Sequence, residues 1–234
     1  LGLNISGMVN STRDVDGVVE MMLDATQRYN EPLSHERLFG WHAALFPTGW
    51  SGMYRIEVGK YRTGEMQVVS GAMGKERVHY EAPKPEIVSD EMEKFLSWFN
   101  HESSLDSVIK AAIAHLWFIT IHSFDDGNGR IARAITDMLL ARSDGSSQRF
   151  YSMTNQILNE RKTYYDILER TQHGNGEITD WLLWFIKCLN GALSSTEILL
   201  GSILTKARFW DTHAQTSFNE RQRTMLNKLL DGFD

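Results

Sequence analysis

Twelve consecutive residues hold most of the chemistry this sequence offers, from His122 through Ser123, Phe124, Asp125, Asp126, Gly127, Asn128, Gly129, Arg130, Ile131 and Ala132 to Arg133. They join the end of one apolar helical pattern to the start of another. The first N–H groups of a helix have no internal partner and carry the positive end of its dipole. Gly127 and Gly129 remove side chains where a ligand would come closest, so the expected product is an anion-binding nest suited to phosphates. Asn128 adds a side-chain amide donor. Arg130 and Arg133 stand about one turn apart and can grip one polyanion, guanidinium forks matching phosphate oxygens better than ammonium does. Asp126 lies at the lip of the nest. A carboxylate beside phosphates needs a cation between them, and Mg²⁺ is commonly held by one or two carboxylates plus phosphate oxygens. His122, ending the preceding helix, is placed to take a proton from a hydroxyl near neutral pH. Phe124 is assigned to the core beneath the loop.

Competing patterns are weaker. Gly127–Ala132 fits G-x-G-x-x-A, but that dinucleotide fingerprint needs a strand before it, and a long apolar helix precedes it here. No G-x-x-x-x-G-K-[ST] occurs. One histidine and two adjacent acids, His122, Asp125 and Asp126, make a poor closed metal site.

The elements that must position these residues are mainly α. Asp14–Tyr29 has Val15, Val18, Val19, Met22 and Leu23 at helical spacing, and Ser34 is an N-cap for a helix through Leu45. Gly49–Pro85 is glycine-rich, and Glu65–Val69 with Glu76–Glu81 read as a β-hairpin around Gly71 and Gly74. Ser89 is expected to cap Asp90–Asn100. Asp106–Ile121 is apolar almost all round and belongs at the centre of the fold, with His115 a satisfied core histidine. After Asn128, Ile131, Ala134, Ile135, Met138 and Leu139 form a helical stripe. Glu160–Gln172, Thr179–Leu193, Ser194–Trp210 and Asn219–Leu230 complete the expected helices.

Composition bounds the function. The 234 residues are 42% hydrophobic and 23% charged, a globular balance. A net charge of −6 argues against a mainly nucleic-acid-binding segment. The single cysteine, Cys188, excludes an internal disulfide framework and a Cys-rich zinc site, and its apolar run marks it as core. There is no charge-free run of about 18 apolar residues and no signal peptide, so no membrane span and a cytoplasmic setting are expected.

The motif resembles the signature of the Fic (filamentation-induced-by-cAMP) family, H-x-F-x-[DE]-G-N-G-R-x-x-R. His122, Phe124, Asp126, Gly127, Asn128, Gly129, Arg130 and Arg133 match every defined position. Ser123 departs from the proline that many members carry. Gly59 to Thr63, the hairpin, Met92–Asn100 and the pair Tyr164 and Tyr165 are also Fic-like, so the resemblance runs from Leu33 to Leu189. It implies a Fic-type helical core with a β-hairpin flap: an N-terminal helical segment over 1–32, the core over 33–193 with its flap at 65–81, and C-terminal helices over 194–234. Two readings of these stay open: they lead toward a winged-helix module outside these residues, the one route to DNA, or they simply close the core.

The resemblance also implies an activity, transfer of AMP from ATP to a hydroxyl side chain of a target protein. His122 would be the base, Asp126 would hold Mg²⁺, Gly127, Asn128 and Gly129 would form the anion hole, and Arg130 and Arg133 would grip the phosphates. Tyr164 and Tyr165 would line the adenosine pocket, with Val78 and His79 contributed by the flap. Members that phosphorylate their targets have lysine where Gly129 stands, which favours nucleotidyl transfer. The flap would dock a target Ser, Thr or Tyr segment by strand addition, and alternation along Val78, His79 and Tyr80 would turn one face to ligand and one to solvent. His79 reads as a flap surface residue and not as a second base. Self-modification and a homodimer are further expected partners. The family's inhibitory [ST]-x-x-x-E-[GN] motif does not occur here; three readings stay open, that it precedes Leu1, which is favoured, that a partner supplies it, or that it is lacking. Two alternatives stay open: a nucleotide-binding regulatory or interaction protein with DNA recognition outside this segment, and removal of AMP or another nucleotidyl transfer.

Overall fold

The computed structural model describes residues 13–71 and 77–231, with side chains in the first helix described from Asp16 onward. Leu1, Gly74, Glu76, Asp234 and the side chain of Val15 lie outside the described residues. In chain order the elements are α1 (Arg13–Gln27), α2 (His35–Leu45), β1 (Trp50–Ser51), β2 (Tyr54–Arg55), β3 (Gln67–Ser70), β4 (Arg77–Glu81), α3 (Pro85–His101), α4 (Ser107–Ile121), α5 (Asn128–Asp144), α6 (Met153–Asn159), α7 (Arg161–Gln172), α8 (Thr179–Thr212) and α9 (Glu220–Asp231). The fold is mainly α, as expected. Among the described residues no helix is long and apolar enough to cross a membrane.

Two compact units divide the chain. One takes the residues up to Arg149 together with Glu160–Ile186, and the other takes Phe150–Asn159 and the residues from Lys187. The first holds the twelve-residue motif. Its centre is α4, which packs along α5, with Ala111, Ala112, Ala114 and Phe118 of α4 fully buried. Asp106 caps α4 by accepting from the Val108 and Ile109 N–H groups. α1 packs on α2 and α5, and it buries Gly17, Met21 and Ala25 at i, i+4, i+8. This corrects the stripe read from the sequence, since Val19 and Leu23 are exposed. The helices approach too closely for a side chain: a Cβ at Gly17 would stand 1.8 Å from the Ala44 carbonyl oxygen. In the second unit, Cys188 is buried, as expected of core.

Other boundaries also differ. α3 starts at Pro85, not after Ser89, because proline at the first helical position loses no needed N–H and arrives with helical φ. α8 runs unbroken where two helices were expected. Ser195 and Thr196, just past the break expected between Leu193 and Ser194, turn their hydroxyls back to the Gly191 and Ala192 carbonyls inside the helix. α6 and the small β1–β2 hairpin were not foreseen as elements.

β3 and β4 pair antiparallel, Gln67 with Glu81, Val68 with Tyr80, Val69 with Val78 and Ser70 with Arg77. Between Val68 and Val69 the partner strand advances by two residues, so His79 is the extra residue of a β-bulge. A bulge breaks strict alternation, and His79 and Tyr80 turn to the same cavity although they are neighbours.

Candidate active site

α4 ends at Ile121, and His122 continues the chain in the left-handed conformation with φ of 51°. Among the described residues it is the one non-glycine with positive φ. Local strain of this kind persists where the surroundings over-determine it, and here they do. The His122 N–H donates to the Phe118 carbonyl (3.1 Å) and the His122 carbonyl accepts from Arg62 Nε (2.7 Å). Arg62 is 2% exposed. Its other nitrogens donate to the Gly64 and Pro83 carbonyls, on either side of the β3–β4 flap. One buried guanidinium therefore ties both roots of the flap to the His122 peptide.

The imidazole has a defined tautomer. His122 Nδ1 lies 3.1 Å from the Ile119 carbonyl oxygen, which can only accept, so Nδ1 carries the proton and Nε2 keeps its lone pair. Burial lowers the His122 pKa from its ordinary value. The Ile119 carbonyl opposes that shift, as does Asp126, while the Arg62 charge adds to it. A neutral imidazole with a free Nε2 is the form a general base needs.

α5 begins directly beyond the loop. Its N-cap is Gly127, with φ of 84° and no side chain to cap the helix. The leading N–H groups are thus left for a ligand. The two glycines serve different ends. A Cβ at Gly127 would stand 2.9 Å from Phe46 Cε2, so this glycine answers to its backbone and to packing, not to ligand approach. At Gly129 a Cβ would meet only the Arg133 guanidinium, at 3.6 Å, which places that cation over the nest. Asn128 also differs from expectation. Its Oδ1 accepts from the Phe124 N–H (3.0 Å) and its Nδ2 donates to the Phe124 carbonyl (2.7 Å). The amide clamps the loop through its oxygen and one of its two N–H groups. Phe124 lies fully buried, in ring contact with Phe39, His42, Tyr61 and Phe118.

Asp126 accepts from the Gly127 N–H through Oδ1 (2.6 Å) and from the Ser51 hydroxyl through Oδ2. Arg130 approaches the same oxygen at 3.7 Å and lies over the Phe46 ring, 4.6 Å from its centroid. The neighbouring Asp125 is structural, its Oδ2 accepting from the Glu57 N–H (2.9 Å). His42 fixes the loop from behind. It stacks on Phe124, donates through Nε2 to the Asp126 carbonyl (3.2 Å), and accepts the Gly59 N–H at Nδ1 (3.1 Å).

These parts meet in one cavity of about 810 Å³. His122, Asp126, Asn128, Gly129 and Arg133 line it on the motif side. Gln67–Ser70, His79 and Tyr80 line it on the flap side, and α7 adds residues that include Tyr164 and Tyr165. Among the described residues Gly127, Arg130 and Val78 do not line it. Tyr164 is nearly buried, its hydroxyl 3.0 Å from His115 Nε2, whereas Tyr165 is half exposed. His115 is satisfied in the core, as expected, with Nδ1 at 2.9 Å from Thr136 Oγ1.

Sequence reasoning missed Arg62 as a positioning group, His42 and Ser51. Arg62 alone carried a signal, since it stands within the Fic-like run Gly59 to Thr63. His42 and Ser51 reach the loop from 84 and 75 residues away, and no spacing advertises such pairs.

Comparison with known proteins places the chain by sequence and by fold. Residues 32–140 match the Fic/DOC family. Protein adenylyltransferase fic-1 of Caenorhabditis elegans is 34% identical over 90 residues, which is 38% of this chain and 16% of that protein. A probable protein adenylyltransferase of Aquifex aeolicus is 26% identical over 166 residues, 71% of this chain and 45% of that protein. The chain thus spans less than half the length of either relative. Among solved structures, a Fic family protein of Desulfovibrio desulfuricans superposes with a TM-score of 0.65 at 20% identity, over 82% of this chain and 55% of that one. Fic-1 of C. elegans superposes with a TM-score of 0.61 at 22% identity, over 86% and 56%. The fold is the Fic fold.

Proposed function

We propose that this chain, whose residues 32–140 carry the Fic/DOC domain, is a nucleotidyltransferase that moves AMP from Mg²⁺-bound ATP to a Ser, Thr or Tyr hydroxyl of a protein target. The observation that carries this reading is His122, its Nε2 free, lining one cavity with Arg133 and the uncapped start of α5. The relatives' names point the same way.

His122 Nε2 takes the proton of the target hydroxyl. The hydroxyl oxygen bonds to the α-phosphorus as the α–β phosphoanhydride bond breaks, and pyrophosphate leaves with the electron pair. The work asked of the protein is alignment and charge neutralisation. The α5 N–H groups at Asn128 and Gly129 and the Arg133 guanidinium receive phosphate oxygens. Arg130 acts from behind, through Asp126. Tyr164 and Tyr165 flank the adenosine, with His79 and Tyr80 opposite on the flap. Asp126 is the residue that would hold Mg²⁺. One cavity-facing carboxylate plus phosphate oxygens is an ordinary donor set for that ion, and among the described residues no cluster of three His, Cys, Asp or Glu offers a rival. Bound there, Mg²⁺ would supply charge neutralisation on the phosphates.

Parallel incubation with α-labelled and γ-labelled ATP tests the reading. Label is expected on protein from the α position alone, falling by about 10²–10⁴-fold in His122→Ala. Transfer from the γ position would replace this reading with phosphorylation. Arg133→Ala is expected to weaken ATP binding about tenfold or more by calorimetry, and unchanged affinity would remove it as a phosphate ligand.

A further inference from the structure

Of the two motif carboxylates, Asp126 lines the cavity, while Asp125 is taken by the Glu57 N–H. The Asp126 side chain is 47% exposed, so it has room to turn, and what it turns to decides whether it can hold a cation. The Gly127 N–H occupies one lone pair of Oδ1, and the Ser51 hydroxyl occupies one of Oδ2. A carboxylate offers about four such sites, so one on each oxygen stays open. Arg130 Nη2 stands 3.7 Å from the same Oδ2, beyond hydrogen-bond reach, with its guanidinium over the Phe46 ring. A guanidinium fork is a strong rival to a metal ion for a carboxylate. Ser51 reaches Asp126 from β1, and its hairpin is fastened to the motif loop at further points. The Glu57 N–H donates to Asp125 Oδ2 (2.9 Å). The Gly59 N–H donates to His42 Nδ1 (3.1 Å), whose Nε2 donates to the Asp126 carbonyl (3.2 Å). Within the hairpin Ser51 pairs with Tyr54, and Gly52 turns the chain at a φ of 56°.

We propose that Ser51 is a positioning residue for the metal ion: its hydroxyl keeps the Asp126 carboxylate from closing onto Arg130 and leaves a lone pair on each oxygen for Mg²⁺. This rests on the reading that the cavity takes Mg²⁺-bound ATP. A hydroxyl suits the task because it is neutral. It fixes the carboxylate by a hydrogen bond and leaves its charge for the cation, which a lysine or arginine here would cancel. Hydrogen-bond partners of a ligating carboxylate set its direction, and their loss weakens metal binding by about 10–100-fold. With alanine at position 51, Oδ2 loses its donor, and the carboxylate is free to pair with the Arg130 guanidinium, an ion pair that metal binding must then break.

The test titrates the full chain by calorimetry with α,β-methylene-ATP, which cannot release its AMP, once in Mg²⁺ and once in EDTA. Wild type is expected to bind more tightly in Mg²⁺. Ser51→Ala is expected to cut that gain about tenfold with its affinity in EDTA unchanged, and Ser51→Thr, which keeps the hydroxyl and suits a strand, to restore it. Tyr54→Ala trims the residue paired with Ser51 in the hairpin and is expected to keep the full gain. In an Arg130→Met background the rival is gone, and Ser51→Ala is expected to cost little. A wild-type gain in Ser51→Ala overturns the proposal and leaves the transfer reading standing. So does a loss of affinity that is equal in Mg²⁺ and EDTA, or one that Tyr54→Ala shares, since either marks a disturbed hairpin and not a misdirected carboxylate. An undiminished cost of Ser51→Ala beside Arg130→Met overturns the part given to Arg130. Equal affinity of wild type in Mg²⁺ and EDTA overturns both the proposal and the reading beneath it.

Discussion

Three carbonyls converge on the Arg62 guanidinium, and one of them belongs to the strained His122 peptide. Lysine at this position is a point charge and cannot reproduce a planar fork. Arg62→Lys is therefore expected to leave at least one buried carbonyl without a donor and to cost about 1–3 kcal/mol in urea unfolding. On the proposed function it should also lower the transfer rate with little change in ATP affinity, because the group set loose is the proposed base and not the proposed phosphate cradle. A rate equal to wild type would show that His122 holds its geometry without Arg62. The contrast with the motif shows what a sequence discloses at this scale. His122, Asp126, Gly129 and Arg133 sit within one turn between the end of α4 and the first turns of α5, so their spacing carries their geometry, and all four line the cavity. Asn128 and Arg130 belong to the same motif, but their tasks are set by Phe124, Phe46 and Asp126, which only folded coordinates bring into view. Ser123, the departure from the family signature, is fully buried with its hydroxyl unpaired.

Helices were legible wherever an apolar stripe met a clear cap, as at Ser34 and Asp106. They were misread where a residue's usual role was suspended: proline beginning α3, hydroxyls folding back inside α8, and glycine on the buried face of α1. The β3–β4 hairpin was legible as a hairpin. Its bulge was not, because one extra residue leaves no mark in a run such as Val78, His79 and Tyr80. The start of α5 gives the sharpest test at this scale. Gly127→Ala forces a Cβ to 2.9 Å from Phe46 at a φ of 84°, and Phe46 in turn carries Arg130. Gly129→Ala adds an ordinary contact within a helix, where alanine is the better residue by about 1 kcal/mol. Thermal unfolding should thus move in opposite directions, Gly127→Ala losing about 1–3 kcal/mol and Gly129→Ala holding or gaining. On the proposed function nucleotide affinity should fall in both, through a displaced helix start in the first and a methyl group over the nest in the second. Equal stability of the two variants would mean that Gly127 is not set by packing.

At the scale of the molecule, the unit that holds the motif is stabilised in part by two imidazoles that must be neutral. Tyr164 O–H donates to His115 Nε2, Nδ1–H donates to Thr136 Oγ1, and the Thr136 hydroxyl donates to the Ala132 carbonyl, a chain that links α7, α4 and α5. His42 donates from Nε2 and accepts at Nδ1. In each ring one nitrogen is an acceptor, so adding a proton breaks a buried hydrogen bond as well as burying a charge. Burial pushes His115 down to about 3, with the Arg133 charge adding to it, and pushes His42 down to about 4. Both folded values lie below the unfolded value of about 6.5, so the unfolded chain binds more protons as pH falls. The stabilisation is complete above about pH 6.5 and is lost progressively below it, down to the folded values, at up to roughly 1.4 kcal/mol per pH unit for each ring. Between pH 6.5 and 5 most carboxylates contribute little, and the buried Asp137, whose carboxyl burial pushes up, works against the trend, so a decline across this window reports the histidines. Urea midpoints measured across it should decline, and His115→Gln should remove one ring's share of the decline, His42 and His122 keeping theirs, while lowering stability at pH 7. An unchanged slope in that variant would mean that His115 is already charged in the folded chain, and its partners in the α4–α5–α7 core would then have to be reassigned.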